Sequence, residues 1–246
     1  MKHSDRTRHY YLACLAARTA AFALLIVYAV CAPDAFSAGL AAGPLYLSPL
    51  TILWWLLMLS MAIRFFPSRM ESMGCQKEFA SRFRPTGKPP SPEEVHKADL
   101  GALWVLLSWA AVNALFFLAH WRGWINDRFM VCLTGFYGVC DIICILFFCP
   151  FQVWMMHNRC CATCRIYNWD YLMMCTPLMC LDDFLAAAAC GMALVLFLRW
   201  EITYLRRRER FFQSTNEALR CDQCQEHLCA YKRAMARKSL PRRSRQ

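Results

Sequence analysis

Long runs of apolar residues, separated by shorter polar segments, recur along the whole chain. Each run approaches the roughly 20 residues that an α-helix needs to cross the hydrocarbon core of a bilayer. Backbone polar groups in a bilayer must be paired within the protein, so apolar runs of this length are expected to be helical. The pattern therefore predicts an all-α fold, namely a polytopic transmembrane helix bundle. The six expected spans cover residues 10–32, 45–63, 100–119, 129–149, 166–181 and 184–203.

The run at 166–181 is the least regular of the six. It is short, and it contains Asn168, Asp170 and Pro177. A proline inside a helix removes one backbone hydrogen bond and bends or breaks the helix. This run is therefore expected to be a kinked span that packs on protein. The alternative is that it does not cross the bilayer, which leaves five spans.

The two longest segments outside these runs are polar and cover 64–99 and 206–246. The first holds a proline-rich stretch that cannot form a regular helix. Ser91 and Pro92 provide an N-cap followed by a proline at the first helical position, which predicts a helix that begins there. The expected organisation is a transmembrane domain over 1–205, with 64–99 as a basic cytosolic loop and 206–246 as a basic, cysteine-containing cytosolic tail.

The basic residues decide how the bundle is expected to lie in the membrane. The formal net charge is +11, and Lys and Arg gather at the N-terminus, in 64–99 and in 206–246. Basic segments tend to stay on the cytosolic side. Six spans place all three basic regions in the cytosol, whereas five spans leave the basic tail outside. The charge pattern therefore favours six spans, with the N-terminus and the tail cytosolic, in a plasma membrane or a bacterial inner membrane.

Composition also bounds the partners. Apolar residues make up 58% of the sequence and the mean hydropathy is +0.27, which excludes an ordinary soluble domain. A basic tail beside a span is expected to bind anionic lipid head groups rather than nucleic acid. A membrane protein partner or a second copy of the chain is the other expected contact. The sequence contains no P-loop, dinucleotide-binding glycine motif, nucleophile elbow or zinc-protease motif, so it leaves open whether the protein is an enzyme.

Two Cys-x2-Cys pairs stand out among the sixteen cysteines, Cys161 with Cys164 and Cys221 with Cys224. Two intervening residues let a tight turn direct both sulfurs at one ion. In the six-span topology both pairs face the cytosol, so their four thiolates are expected to hold a structural zinc ion or an electron-transferring iron–sulfur centre that joins the central loop to the tail. Alternative ligands are Cys160, His227 and Cys229. Alternatively, the tail alone could bind zinc through Cys221, Cys224, His227 and Cys229.

The same spacing supports a second hypothesis. Cys-x2-Cys is also the spacing of dithiols that exchange with disulfides. A membrane thiol–disulfide oxidoreductase would use the two pairs as a relay. Most of the other cysteines lie within apolar runs, where a cysteine is expected to pack as a small hydrophobic residue.

Charged and polar residues inside the apolar runs support a third hypothesis. Arg18 and Asp141 each lie eight residues from the expected cytosolic end of their run, or about 12 Å deep at 1.5 Å per residue. Opposite charges at one depth predict an ion pair, which either fixes helix packing or marks the path of a small transporter. Asn113 is expected to make an interhelical hydrogen bond, and Asp182 and Asp183 to form a turn or a helix cap.

Overall fold

Helices and short helical turns account for nearly all of the regular structure. The computed structural model describes residues 2–67, 73–158, 160–224, 228–229 and 232. Within these ranges there is no β-strand, and a single isolated bridge pairs Pro85 with Asn216. The all-α class is therefore confirmed.

Four helices among the described residues are long and apolar enough to cross a membrane. They are Lys2–Cys31 (α1), Pro92–Trp121 (α5), Asp127–Leu146 (α6) and Phe184–Arg206 (α8). Many of their large apolar side chains are exposed, which suits a surface in contact with lipid. These helices support a polytopic, membrane-embedded bundle. The start of α5 after the Ser91 N-cap agrees with the sequence, and the backbone N–H of Ser91 donates to Glu94 Oε2 at 3.4 Å.

The second apolar run differs from its prediction. Its helix, Pro49–Ile63 (α3), has only 15 residues and begins after Ser48, whose hydroxyl accepts a hydrogen bond from the Thr51 N–H at 3.1 Å. It is therefore shorter than the four long helices. The segment before it contains a further helix, Pro33–Ala41 (α2), which packs on α1 and α3.

The fourth run ends earlier than expected. The α6 helix stops at Leu146, and Pro150 then leads into a single π-helical turn over Phe151–Met155. Cys149 therefore lies beyond the helix, where its side chain is free to turn towards the next segment.

The fifth run is broken, as Pro177 predicts. It consists of a 3₁₀ turn over Tyr167–Trp169, the short helix Asp170–Cys175 (α7) and a 3₁₀ segment over Thr176–Cys180. It packs against α5, α6 and α8. A further short helix, Met73–Glu78 (α4), lies in the loop between α3 and α5.

Candidate functional site

Buried polar side chains gather at one end of the bundle, which we call the polar end. It is the end where α3, α6 and α8 finish and α5 begins. Two ion pairs mark it. Arg64 forms a bidentate salt bridge with Asp170, and both side chains are no more than 10% exposed. Arg165 binds both carboxylate oxygens of Glu201 at 2.6 Å.

A cavity of about 370 Å³ lies at the polar end, between α5, α6, α7 and the segment that follows α6. We call it the thiol cavity, because five cysteines line it: Cys140, Cys144, Cys149, Cys161 and Cys164. Aromatic side chains form much of the remaining wall, among them Trp109, Phe136, Tyr137, Phe148 and Phe151.

Local structure explains why these thiols meet. Cys140 and Cys144 are four residues apart on α6, so they share a helix face. Cys161–Thr163 forms a 3₁₀ turn that is closed by a hydrogen bond from the Cys164 N–H to the Cys161 carbonyl at 3.1 Å. Arg165 follows directly, and its bonds to Glu201 fix this turn against α8.

Lys232, from the tail, lies against the thiol cavity. Its ammonium donates to the carbonyl of Cys144, to Gln152 Oε1 at 3.2 Å and to Cys161 Sγ at 2.9 Å. An ammonium has three N–H donors, so these acceptors satisfy all of them. The contact brings a positive charge next to the buried thiols.

The thiols differ in their acidity. The pKa of Cys149 is lowered to about 7, mainly because the Cys144 thiol donates a hydrogen bond to it. Burial acts in the opposite direction, whereas the backbone N–H of Gln152 and the charge of Lys232 lower the pKa further. Burial raises the pKa of Cys161, against the opposing effect of Lys232. Burial also raises the pKa of Cys164. Cys149 is therefore the thiol in this group that most readily becomes the reactive thiolate.

The second Cys-x2-Cys pair adopts the same turn as the first. Cys221–Gln223 is a 3₁₀ turn, and the Cys224 N–H donates to the Cys221 carbonyl at 3.3 Å. The closing cysteines have similar backbone angles, φ −82° and ψ 120° at Cys164 and φ −76° and ψ 122° at Cys224. The surroundings differ, because Cys221 is exposed and Cys224 half-buried, whereas the first pair lines the thiol cavity.

The expected metal ligands are placed as follows. Among the described residues, no group of three or more His, Cys, Asp or Glu side chains is arranged to hold a metal ion. Cys160 and Cys229 are half-buried, and His227 lies outside the described residues. The α4 helix packs against both the Cys161–Thr163 turn and residues 217–219, which precede the second pair.

Arg18 and Asp141 lie in contact. Arg18 Nη1 is 2.8 Å from Asp141 Oδ2, and it donates a second hydrogen bond of 2.8 Å to the Gly138 carbonyl. Asp141 lines the thiol cavity, whereas Arg18 lines a second apolar cavity of about 360 Å³ between α1, α3 and α6. The ion pair therefore lies between the two cavities.

A buried carboxyl group lies at the end of α4, the helix that packs against the Cys161–Thr163 turn. Glu78, at the end of α4, is 2% exposed and accepts a hydrogen bond of 2.7 Å from Asn168 Nδ2. Burial raises the pKa of Glu78 to about 8, while the Asn168 hydrogen bond and the charges of Arg165 and Arg64 oppose this rise. Glu78 is therefore largely protonated at neutral pH.

Sequence reasoning missed several residues of this site, among them Cys144, which it treated as a packing residue, and Cys149, Gln152 and Lys232. The pattern places Cys149 at the end of an apolar run and Lys232 in a basic tail. The signal that could have been used is Pro150, since the chain must leave the helix near a proline and its flanking side chains then face a new environment.

Comparisons of the chain with protein-family models, with curated proteins and with solved structures give no match. A function for this chain must therefore be argued from the geometry of its own residues.

Proposed function

We propose that the chain is an integral membrane thiol–disulfide redox protein whose reacting groups are Cys144, Cys149, Cys161 and Cys164. The observation that carries the proposal is the thiol cavity itself. Four thiols share one buried space, one of them accepts a hydrogen bond from its neighbour, and an ammonium lies 2.9 Å from another. This arrangement provides an activated thiolate and a stabilised leaving group.

The exchange follows from this chemistry. The Cys149 thiolate attacks the Cys164 sulfur of a Cys161–Cys164 disulfide, and Cys161 leaves as a thiolate beside the Lys232 ammonium. Cys144 then loses its proton and attacks Cys149, which releases the Cys164 thiolate. A disulfide has passed from one pair to the other, and the two protons lost by the attacking pair are taken up by the released pair.

The proposal includes six spans with both termini in the cytosol. Its support is the packing of Tyr11, near the start of α1, with Leu146 at the end of α6 and Leu228 of the tail. This contact brings the start of α1 and the tail to the same end of the bundle, which favours an even number of crossings. The proposal assigns five crossings to α1, α3, α5, α6 and α8 and the sixth to the broken segment over 166–181. The basic tail then faces anionic lipid head groups.

Mixed-disulfide trapping tests the exchange. The full-length protein in detergent is reduced, then oxidised stepwise in a glutathione buffer and analysed by differential alkylation and peptide mass spectrometry. We expect each pair to oxidise as a unit, and Cys144→Ser to accumulate a Cys149–Cys164 mixed disulfide. Cys31→Ser, at an exposed position at the end of α1, is the matched control and should change neither result. Independent oxidation of the four cysteines would contradict the proposal.

A cytosolic-face metal centre, holding zinc or an iron–sulfur cluster, is a second candidate. The observation that favours it is the shared turn of the two Cys-x2-Cys pairs, together with the packing of α4 beside the first pair and just before the second. Elemental analysis of anaerobically purified protein tests this function. Loss of one equivalent of zinc or of cluster iron in Cys221→Ser, but not in Cys31→Ser, would support it. Metal-free unaltered protein would exclude it.

A further inference from the structure

Gln152 presents a buried hydrogen-bond donor that has no acceptor. The residue is 4% exposed and lines the thiol cavity, and no partner is found for its Nε2 among the described residues. The orientation of the amide is fixed by its oxygen, which accepts hydrogen bonds from Lys232 Nζ at 3.2 Å and from the Cys161 thiol at 3.5 Å. The NH₂ group cannot be exchanged with the oxygen without losing both bonds. A buried donor left unpaired destabilises a protein, so the cavity is suited to a ligand that supplies an acceptor.

The other residues that line the cavity indicate the chemical properties of that ligand. Its wall is apolar and rich in aromatic rings, with Trp109 and Tyr137 at 4.6 Å between ring centroids. Phe136, Ile143 and Phe148 line it and are also partly exposed on the lipid-facing surface of the bundle, so a molecule dissolved in the bilayer can reach it. The ligand is therefore apolar, flat and drawn from the membrane.

The polar groups of the cavity suit a neutral ligand better than an anionic one such as a fatty acid. The Lys232 ammonium has all three donors engaged by protein acceptors. Asp141 lines the same cavity while its partner Arg18 does not, so a second carboxylate there would meet an acceptor-only side chain. A neutral carbonyl oxygen satisfies Gln152 Nε2 without meeting either obstacle.

We propose that the thiol cavity binds a membrane quinone, with one quinone carbonyl accepting a hydrogen bond from Gln152 Nε2. The inference rests on the proposed thiol function for its redox step. Cys144 and Cys149 give up two electrons and two protons as they form a disulfide, and the quinone takes up both to become the quinol. The exchange then runs in the reverse direction and passes this disulfide to Cys161 and Cys164, so the quinone supplies the oxidant for the pathway.

Binding is measured separately from the redox step. The probe is decylubiquinone, titrated calorimetrically into full-length protein in lipid nanodiscs. The protein carries Cys149→Ser and Cys161→Ser, so neither of the two proposed cysteine pairs can form its disulfide during binding. Adding Gln152→Glu keeps an oxygen for Lys232 but replaces the donor with an acceptor, and we expect it to weaken binding about tenfold. Ile143→Trp should also weaken binding by filling the entrance, whereas Ile202→Trp, on the exposed surface of α8, is the matched control and should not.

Each outcome is decisive. Saturable binding that both cavity variants weaken supports the quinone site. No binding, or equal affinity in all variants, overturns it even if the thiols exchange as proposed. Binding without quinol formation and without thiol loss in the protein with all its cysteines keeps the site but overturns the redox step, whereas the thiol function is decided by the disulfide trapping alone.

Discussion

The ionisation of Cys149 gives the most direct test of the thiol cavity. Its pKa is lowered to about 7, first because the Cys144 thiol donates a hydrogen bond to it. At pH 7 about half of Cys149 is then thiolate, whereas a cysteine with the ordinary pKa of about 8.5 is only about 3% thiolate. Replacing Cys144 with alanine removes this cause and leaves burial acting in the opposite direction. We therefore expect the pKa of Cys149 to rise to at least the ordinary value.

The expected sizes of two effects, on the alkylation rate at pH 7 and on the pH midpoint of that rate, show that the midpoint is the better quantity to measure. At pH 7 the thiolate fraction of Cys149 should fall about sixteenfold in Cys144→Ala. A thiolate with the ordinary pKa is, however, about fivefold more nucleophilic, so the alkylation rate at that pH should fall only about threefold. The midpoint of the rate against pH is free of this compensation. It should move from about 7 in the unaltered protein to about 8.5 or higher in the variant.

The assay is iodoacetamide labelling of Cys149 between about pH 5 and pH 10, followed by peptide mass spectrometry. The matched control is Cys190→Ala, since the Cys190 thiol bonds to the Cys175 carbonyl at 3.4 Å. That variant should keep the midpoint near 7. A Cys144→Ala variant whose midpoint also stays near 7 would refute the assigned cause.

Three further predictions concern buried charges, all measured by unfolding in detergent. Because the pKa of Glu78 is raised to about 8, the folded protein retains a proton that the unfolded chain loses above about pH 4.5, so stability should fall between about pH 4.5 and 8. Glu78→Gln should remove that fall, and an unchanged pH dependence would contradict it. Arg165→Met should lower the free energy of unfolding by about 3 kcal/mol, since it leaves the half-buried Glu201 carboxylate without its cation and with only Trp169 Nε1 as a donor; an unaltered melting temperature would count against this. Arg18→Met should cost about 2 kcal/mol, because the Arg18 and Asp141 side chains are 32% and 20% exposed. Adding Asp141→Leu should recover most of that loss, and additive losses would refute the pairing.

Local features of the fold could be predicted because they depend on neighbouring residues. Ser91 caps α5. Asp183 caps α8 by accepting from the Ala186 N–H at 2.9 Å. Asn113 accepts a hydrogen bond from the Tyr137 hydroxyl at 3.3 Å, which links α5 to α6 as expected. Each of these is a matter of side-chain chemistry at one position of a helix.

The thiol cavity could not be predicted in the same way. Cys149 and Lys232 are more than eighty residues apart, and nothing in their spacing joins them. The spacing of the Cys-x2-Cys pairs is visible in sequence, so reasoning from sequence grouped the two pairs together. Which thiols the first pair meets is decided instead by the end of α6 and by the ion pair that holds Arg165 against Glu201.

The break in the fifth segment is structurally linked to the thiol cavity. A helix interrupted within a membrane leaves carbonyl groups unpaired, and such an interruption is tolerated where those groups find partners inside the protein. Here the Thr176 hydroxyl donates to the Leu172 carbonyl at 2.8 Å, and the Cys190 thiol donates to the Cys175 carbonyl. The short helix α7 that results lies between the two cavities, with Asp170, Met173 and Met174 lining the thiol cavity. An unbroken helix would make its own backbone bonds and would need none of these partners. Their presence at the break is therefore a reason to connect the segment's shape with the space it lines, and hence with the chemistry proposed there.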